Sequence, residues 1–401
     1  MGETQERLTR IAVASGGRDA RVVVLPTALM IAVGRAGWAT IESTPQHATA
    51  LRLDQVSALY ELVGEAERGD VEASDGLRRL RAIHAMPPRY GAVVTILAYA
   101  FMTVGLCLVL EPSPLDVVIA GAFGTLVGMI VYATRGRPML TSIAPVLCAT
   151  VVSALAFHAV KNGAADPGLR PLIAPLITFL PGAALTTATV EIASGEMVAG
   201  ASRLVYGGVQ LLLLAFGIVA GAELVGLPSE EVLRDNRTAL LGSWAPWLGV
   251  LVFGFAVALH FSAPRGALRW LLVVLVAAWI GQIAGERLVG AQLSAFAGAL
   301  VMTPVALAIA RVPGAPPSQV TFLPAFWLLV PGAMGLIGVT EIVGNPASAG
   351  IEDLIKPFGS VVSIALGVLC GASIFRAFTA RRSGADTGPN TLARMTAPPV
   401  D

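Results

Sequence analysis

The 401-residue chain has little charge, few cysteines and no recognisable catalytic motif. Charged residues make up 13% of it, about half the share of a soluble domain, which excludes an ordinary water-soluble protein. The three cysteines (Cys107, Cys148 and Cys370) lie in apolar runs, so no disulfide framework is indicated. The net charge of +1 says nothing about partners, and we expect no nucleic acid among them.

The first 89 residues lack a signal peptide, a phosphate-binding glycine motif and a nucleophile signature. Their histidines, His47 and His84, have no metal-ligand companions, so we expect no metal and no cofactor. The periodicity of their apolar residues predicts a small cytoplasmic α/β domain over residues 1–89. Its predicted elements are strands at 22–25, 28–33 and 37–43 and helices at 51–68 and 74–86.

Long hydrophobic runs dominate the rest of the chain, whose overall mean hydropathy is +0.74. Most of them have the roughly 17–25 residues that a helix needs to cross the hydrocarbon of a bilayer. The ten runs cover residues 90–110, 115–133, 139–160, 171–190, 204–226, 244–262, 267–288, 293–312, 321–343 and 354–378. We therefore predict a polytopic α-helical membrane protein with ten transmembrane segments and a disordered cytoplasmic tail over residues 379–401.

Arginines are concentrated on one side of the predicted membrane segments. The loops on this side, together with the start of the tail, contain Arg135, Arg137, Arg203, Arg265, Arg269, Arg311, Arg376, Arg381 and Arg382. The opposite loops are acidic or mixed. Because cytoplasmic loops carry the excess of arginine and lysine, both termini are predicted to be cytoplasmic.

One stretch of the chain occurs twice. Residues 179–192 return as residues 329–342, at an offset of 331 − 181 = 150. The offset relates Pro181-Gly182 to Pro331-Gly332, Glu191 to Glu341, Ala199-Gly200 to Ala349-Gly350, Gly217 to Gly367 and Gly221 to Gly371. We interpret this as a duplication. Five segments per copy is an odd number, so the copies, residues 90–226 and 244–378, are predicted to be inverted repeats joined by an external loop at 227–243.

The two Pro-Gly pairs are the predicted substrate-binding sites: Pro181 and Gly182 in one copy, Pro331 and Gly332 in the other. Proline and glycine interrupt a helix, and interrupted segments at matching places in two repeats are typical of the site of a secondary transporter. The half-helix after each break offers N–H groups to a carboxylate, and the freed carbonyls suit an ammonium group. A structural, proline-kinked helix is the alternative.

Threonines and glutamates follow the breaks. Thr186 and Thr187, about 7–9 Å along the first half-helix, could meet a substrate hydroxyl, or bond back to their own helix. Glu191 and Glu341 lie about 15 Å beyond the prolines, so we assign them to coupling or gating rather than to binding. Alternatively, both are helix-end carboxylates. Two carboxylates without an arginine in mid-membrane favour a substrate with an ammonium group over a dianion.

The ordered combination of short motifs resembles the threonine/serine exporter family. The residues that carry the likeness are 24–33, 53–83, Phe179 to Ala188, Gly200 to Leu204, Phe296 to Leu300, Ala310-Arg311 and Pro324 to Gly332. Members join a cytoplasmic N-terminal domain to ten membrane segments in two homologous halves. They usually carry a further helix before the first strand, and here only Glu3 to Ser15 could form it, so that helix is truncated or absent.

The resemblance implies a non-enzymatic exporter of L-threonine and L-serine in the bacterial cytoplasmic membrane, driven by the membrane potential or the proton gradient. Its expected partners are the amino acid, the lipid bilayer and protons as a coupling ion, while its oligomeric state stays open. A dicarboxylate exporter of the succinate type is the first alternative, because some relatives are associated with such substrates. A sensor or enzyme anchored by the membrane segments, or a channel, is a further alternative.

Overall fold

The computed structural model describes residues 2–17, 20–26, 28–33, 38–43, 51–110, 112–163, 170–226, 241–329, 336 and 351–384. Three residues of the predicted site, Pro331, Gly332 and Glu341, lie outside the described residues. The parts that are described are mainly helical, with strands only near the N-terminus.

The N-terminal region contains a helix, a small sheet and a helical hairpin. Its elements are α1 (Gly2–Ala14), β1 (Arg21–Val24), β2 (Ala28–Val33), β3 (Trp38–Ser43), α2 (Leu53–Arg68) and α3 (Ala73–His84). The three strands form an antiparallel sheet in the order β1-β2-β3. The strands and the last two helices lie where apolar periodicity predicts them. The helix before the first strand, expected to be truncated or absent, is present as α1.

Ion pairs join the helices of this region. The carboxylate of Glu67 on α2 accepts hydrogen bonds from Arg7 and Arg10 on α1, at 3.4 and 3.1 Å. Glu65 pairs with both terminal nitrogens of Arg79 on α3, at 2.6 and 3.1 Å. The hydrogen bond from Arg79 lowers the pKa of Glu65, since it favours the charged carboxylate.

The first set of membrane helices follows. It consists of α4 (Ala92–Val109), α5 (Pro114–Thr134), α6 (Pro138–Lys161), α7 (Arg170–Ile173), a 3₁₀ helix (Ala174–Phe179), α8 (Gly182–Ala193) and α9 (Met197–Val225). The predicted fourth segment is thus not one continuous helix. It is divided into three helical pieces, because prolines at the start of the 3₁₀ helix and at Pro181 interrupt the hydrogen-bond ladder.

The second set contains α10 (Ala245–His260), α11 (Ala267–Val289), α12 (Ala291–Ile309), α13 (Ser318–Leu328) and α14 (Ile351–Gly384). Within the described ranges, six helices are long and apolar enough to cross a membrane: α4, α5, α6, α9, α11 and most of α14. Helix α10 and residues 293–309 of α12 are apolar but shorter. These helices make the chain a multi-pass membrane protein. The predicted ninth segment begins as α13 and continues outside the described residues.

Glycines bring α9 against α6 and α14 against α12. A Cβ atom built on Gly217 would lie 2.8 Å from the Cβ of Ala149, and one built on Gly367 would lie 2.8 Å from the Cβ of Ala299. Both pairs are related by 150 residues (149 + 150 = 299; 217 + 150 = 367). Such close approach is possible only for glycine.

The next turn of the same helices repeats the correspondence. A Cβ on Gly221 would lie 2.9 Å from the carbonyl oxygen of Thr150, and a Cβ on Gly371 would lie 2.9 Å from that of Leu300. Again the offset is 150 (150 + 150 = 300; 221 + 150 = 371). The sequence repeat is therefore matched by a repeated helix-packing register, which extends the correspondence to α6 and α12.

The two sets of helices meet through α4 and α10. A Cβ on Gly105 would lie 2.5 Å from the backbone nitrogen of Phe253, and one on Gly249 would lie 2.6 Å from the carbonyl oxygen of Gly105. The first helix of each set is thus in backbone contact with the other, and this contact holds the sets together.

Candidate functional site

The best-defined candidate site is the interruption between the 3₁₀ helix and α8. Leu180 is extended (φ −68°, ψ 124°), and Pro181 stands at the N-cap of α8 with φ −81° and ψ 24°. No side chain caps the helix there. The first N–H groups of a helix have no partner within it, so α8 begins with donors available to an anionic group. The break that the sequence predicts at Pro181-Gly182 is therefore present.

Thr186 lies one turn into α8. The side chain is fully buried, and its hydroxyl oxygen has no hydrogen-bond partner. A threonine in a helix usually bonds to a carbonyl of the preceding turn, as Thr189 does, whose hydroxyl donates to the carbonyl of Leu185 at 3.0 Å. The alternative that a threonine bonds to a carbonyl of its own helix thus holds for Thr189 and not for Thr186. An unpaired buried hydroxyl is costly, so Thr186 is a candidate to form a hydrogen bond with a small polar ligand. Thr187 is half-buried.

A tyrosine that the sequence did not single out supports the segment before the break. The hydroxyl of Tyr99 on α4 donates to the carbonyl of Pro175 at 2.8 Å, and it accepts from the hydroxyl of Thr178, also at 2.8 Å. Tyr99 is fully buried. A hydroxyl in an apolar helix could have marked Tyr99 as a candidate from the sequence. Its partners, however, lie 76 and 79 residues away, and no local pattern predicts them.

Glu191 is near the end of α8, away from the break. Its carboxylate is 8% exposed and accepts a hydrogen bond from Nε of Arg203 on α9 at 3.0 Å, while the arginine side chain is 44% exposed. From the sequence, Arg203 indicated only which loops are cytoplasmic. The argument from the absence of an arginine in mid-membrane did not anticipate this pair, because the short turn after α8 brings Arg203 back onto Glu191. That pair gives no preference for a substrate ammonium group.

Helix α8 also contacts the second set of helices, namely α13 and α14. At the end of α13, the side chain of Leu329 lies close to α12, since a Cβ on Gly298 would lie 2.6 Å from its Cδ2. The same Cβ would lie 2.7 Å from Cγ of Gln282 on α11. The side-chain oxygen of Gln282 is buried without a partner. An unpaired polar atom thus also occurs near the end of α13.

No cluster of three or more His, Cys, Asp or Glu side chains within the described ranges could hold a metal ion. The cysteines are free thiols, two buried and one exposed. The polar groups of the site are therefore uncharged backbone donors, a hydroxyl and, farther along α8, an ion pair. Groups of this kind can bind and orient a small polar molecule, and none of those described at this site is arranged as a nucleophile with its base.

Comparison with known sequences decides the family. Residues 1–225, more than half of the chain, match the family described as "Putative threonine/serine exporter". The chain belongs to the threonine/serine exporter family. The matched part begins with α1 and ends with α9, so it contains the interrupted segment and Thr186.

Several similar sequences come from fungi. The chain is 23% identical over 381 residues to pheromone-regulated membrane protein 10 of Eremothecium gossypii, covering 87% of this chain and 49% of that protein. For the protein of the same name from Debaryomyces hansenii, the identity is 22%, over 82% of this chain and 34% of the relative. Uncharacterized protein C7D4.12c of Schizosaccharomyces pombe is 28% identical over 44% of this chain and 24% of its own length.

The chain thus spans about half or less of the length of these relatives. No solved structure matches it. The longest of these alignments includes both sets of membrane helices, since it covers most of the chain.

Proposed function

We propose that this chain is a secondary active exporter of small hydroxylated amino acids, L-threonine and L-serine. The observation that carries the proposal is the buried, unpartnered hydroxyl of Thr186, one turn after a helix break whose first N–H groups have no side-chain cap. Family membership supports export through a membrane. The hydroxyl supports a substrate that itself carries a hydrogen-bonding group.

The chemistry of the break suits an amino acid. The N–H groups and the positive end of the α8 dipole attract the substrate carboxylate. Thr186 is about 7 Å along the helix from Pro181, close enough to exchange a hydrogen bond with a hydroxyl on the substrate side chain. Thr187 is the next candidate for that contact. A substrate without the hydroxyl leaves Thr186 unpaired, which provides selectivity.

We further propose that ten segments form two inverted repeats with the site between them. The repeated packing register of α6 with α9 and of α12 with α14 supports a duplication, and the contacts of α8 with α13 and α14 support a shared site. Pro331 and Gly332 would then supply the second break. Residues 1–89 would be a cytoplasmic domain, residues 227–243 an external loop, and both termini cytoplasmic, in the cytoplasmic membrane of a bacterium.

Glu191 and Glu341 are proposed as coupling or gating residues, with the proton gradient or the membrane potential as the driving force. The pairing of Glu191 with Arg203 favours gating in the first repeat, because a buried carboxylate held by a half-exposed arginine joins the ends of α8 and α9. Opening this pair releases the turn between the two helices. Glu341 would have the corresponding position in the second repeat.

The test compares two threonines on the same helix. In cells loaded with threonine or serine dipeptides, Thr186→Val is expected to lower efflux about tenfold, because the hydroxyl is lost and the shape is kept. Thr186→Ser should retain most of the efflux. Thr189→Val is the matched control, since its hydroxyl bonds to its own helix, and it should export at the parental rate. Equal rates for Thr186→Val and Thr189→Val would contradict the assignment.

A further inference from the structure

Helix α2 of the N-terminal region is bonded to the loop that follows α10. The backbone N–H of Leu53, the first residue of α2, donates to the carbonyl of Phe261 at 3.0 Å. The side chain of Leu53 is 3% exposed and packs in a cluster with Ala263, Ala267 and Val320. The first N–H groups of a helix need partners from outside it. Here the membrane region supplies one of them, together with an apolar pocket.

A second tether reaches the same loop from the end of the helical hairpin. The guanidinium of Arg89, just before α4, donates to the carbonyl of Ala263 at 2.8 Å. Arg52, at the N-cap of α2, donates to the carbonyls of Met86 and Pro87, both at 3.1 Å. The start of α2 and the link into α4 are therefore fixed to each other, and both are fixed to residues 261–267. We call residues 261–267 the docking loop.

The docking loop contacts the segment that leads to the second Pro-Gly pair. The ring of Phe261 lies against that of Trp327, with centroids 5.0 Å apart. Trp327 is near the end of α13, four residues before Pro331. Val320, which packs with Leu53, is on the first turn of the same helix. Aromatic pairs and buried side chains of this kind hold helices in a fixed relation.

Immediately before the docking loop, His260 makes the connection to the first break. Its Nδ1 donates to the carbonyl of Thr95 on α4 at 3.1 Å. Its ring also packs edge-to-face with the ring of Tyr99, with the ring centroids 5.2 Å apart. Tyr99 in turn holds the 3₁₀ helix through Pro175 and Thr178. The 3₁₀ helix ends two residues before Pro181.

We infer that the docking loop, with the adjacent His260, positions α13 and the 3₁₀ helix before the first break, and that α2 fixes the docking loop, so the N-terminal region sets the rate of the transport step. This inference rests on the proposed function. Leu53, Phe261 and Trp327 act as positioning residues, since none of them has to touch the substrate. The N-terminal region is then a working part of the exporter and not a separate sensor or enzyme.

The first test is kinetic and uses full-length protein in proteoliposomes. Leu53→Ala is expected to lower the maximal rate of threonine efflux several-fold with a smaller change in KM. The residues of the site are intact in this variant, but α13 and the 3₁₀ helix are displaced. Leu53→Met should restore the rate. Leu77→Ala is the control, because Leu77 lies on α3 of the same region and is 49% exposed. Equal maximal rates for Leu53→Ala and Leu77→Ala would overturn the inference.

The second test needs no transported substrate. In a Cys370→Ser background, which removes the exposed native thiol and keeps the two buried ones, a cysteine is introduced by Thr187→Cys. Its rate of reaction with a maleimide reports on the access to the first break. Leu53→Ala and Phe261→Leu are each expected to change this rate several-fold, whereas Leu77→Ala leaves it unchanged.

The two tests separate the inference from the proposed function. If labelling responds to Leu53→Ala but no threonine or serine efflux is measurable in the parental protein, the positioning role stands and the proposed substrate is wrong. If the parental protein exports threonine but neither Leu53→Ala nor Phe261→Leu alters labelling, the inference is wrong. A melting curve of each variant excludes general unfolding as the cause of a change.

Discussion

Two helix pairs, α6 with α9 and α12 with α14, pack in the same register. Their polar and charged side chains nevertheless differ. The glycines that allow the close approach recur at 217 and 367 and at 221 and 371. The neighbouring hydroxyls differ. Ser153 has a buried oxygen with no partner, whereas Thr303, 150 residues later, donates to the carbonyl of Ala299 at 2.7 Å.

The charges differ as well. Position 203 is an arginine that pairs with Glu191, and position 353, 150 residues later, is an aspartate. Small residues are retained because a larger side chain would separate the backbones, while polar residues are free to change once one copy has acquired a role. The comparison teaches that the feature common to the two halves is the close packing of their helices, and that the chemistry of the two halves is not symmetric.

The largest effect is expected from filling the shared packing sites. Gly217→Leu and Gly367→Leu should each lower the free energy of unfolding by about 3 kcal/mol or more, because the new side chain meets the backbone of the adjacent helix. The measurement is the melting temperature and the monodisperse fraction of detergent-extracted protein.

Each helix contains its own control. Gly208 on α9 and Gly359 on α14 have no atom within 4 Å of a built Cβ, so leucine at either position should be tolerated. If one half accepts leucine at the packing glycine as readily as at the control, the two halves do not share a scaffold.

The next effect concerns the charge that only the first half has. Arg203→Met should destabilise the protein by about 1–3 kcal/mol, because it leaves the buried carboxylate of Glu191 without this cation. Glu191→Gln should cost less, since the arginine is half-exposed and can be solvated by water. Unfolding of both variants in the same detergent measures the difference. The reverse order would show that the arginine, and not the carboxylate, is the desolvated partner.

The coupling or gating role proposed for Glu191 and Glu341 also gives a functional prediction. Glu191→Gln and Glu341→Gln should abolish gradient-driven export and leave substrate binding measurable, since both residues are proposed to act in coupling or gating and not in binding. Binding is followed by the thermal shift that threonine produces, and export by efflux under an imposed gradient. Parental rates and parental pH dependence in both variants would identify these carboxylates as ordinary helix-end residues.

The smallest effect distinguishes the two hydroxyls. Ser153→Ala should be neutral or slightly stabilising, because it removes an unpaired buried group, whereas Thr303→Val should cost about 1 kcal/mol through the loss of its bond to Ala299. Thermal unfolding of the two variants in parallel gives the comparison. A larger loss for Ser153→Ala would mean that its hydroxyl has a partner, such as a bound water.

Local chemistry explains what the sequence predicted well. Proline and glycine act on their own turn of helix, so the break at Pro181 could be located, and the offset of 150 follows from comparing the chain with itself. Apolar periodicity likewise located the strands and α2 and α3. The support of the 3₁₀ helix by Tyr99 was less accessible, because the bonded residues lie 76 and 79 positions apart in the chain.

Contacts between distant residues explain what it missed. Tyr99 meets partners 76 and 79 residues away, and Leu53 meets Phe261 across 261 − 53 = 208 residues. Arg203 is near Glu191 in the chain, but a turn after α8 decides whether the two side chains meet. Periodicity and motifs describe faces and breaks, and they carry no information on which faces pack together.

Transport by the purified, full-length protein in proteoliposomes tests the central claim most directly. Vesicles are loaded in parallel with L-threonine, L-serine or succinate, and efflux is followed with and without an imposed proton gradient or membrane potential. The account predicts gradient-dependent efflux of threonine and serine, reduced about tenfold by Thr186→Val and not by Thr189→Val. Efflux of succinate alone, or amino-acid efflux that is unaffected by Thr186→Val, would contradict it.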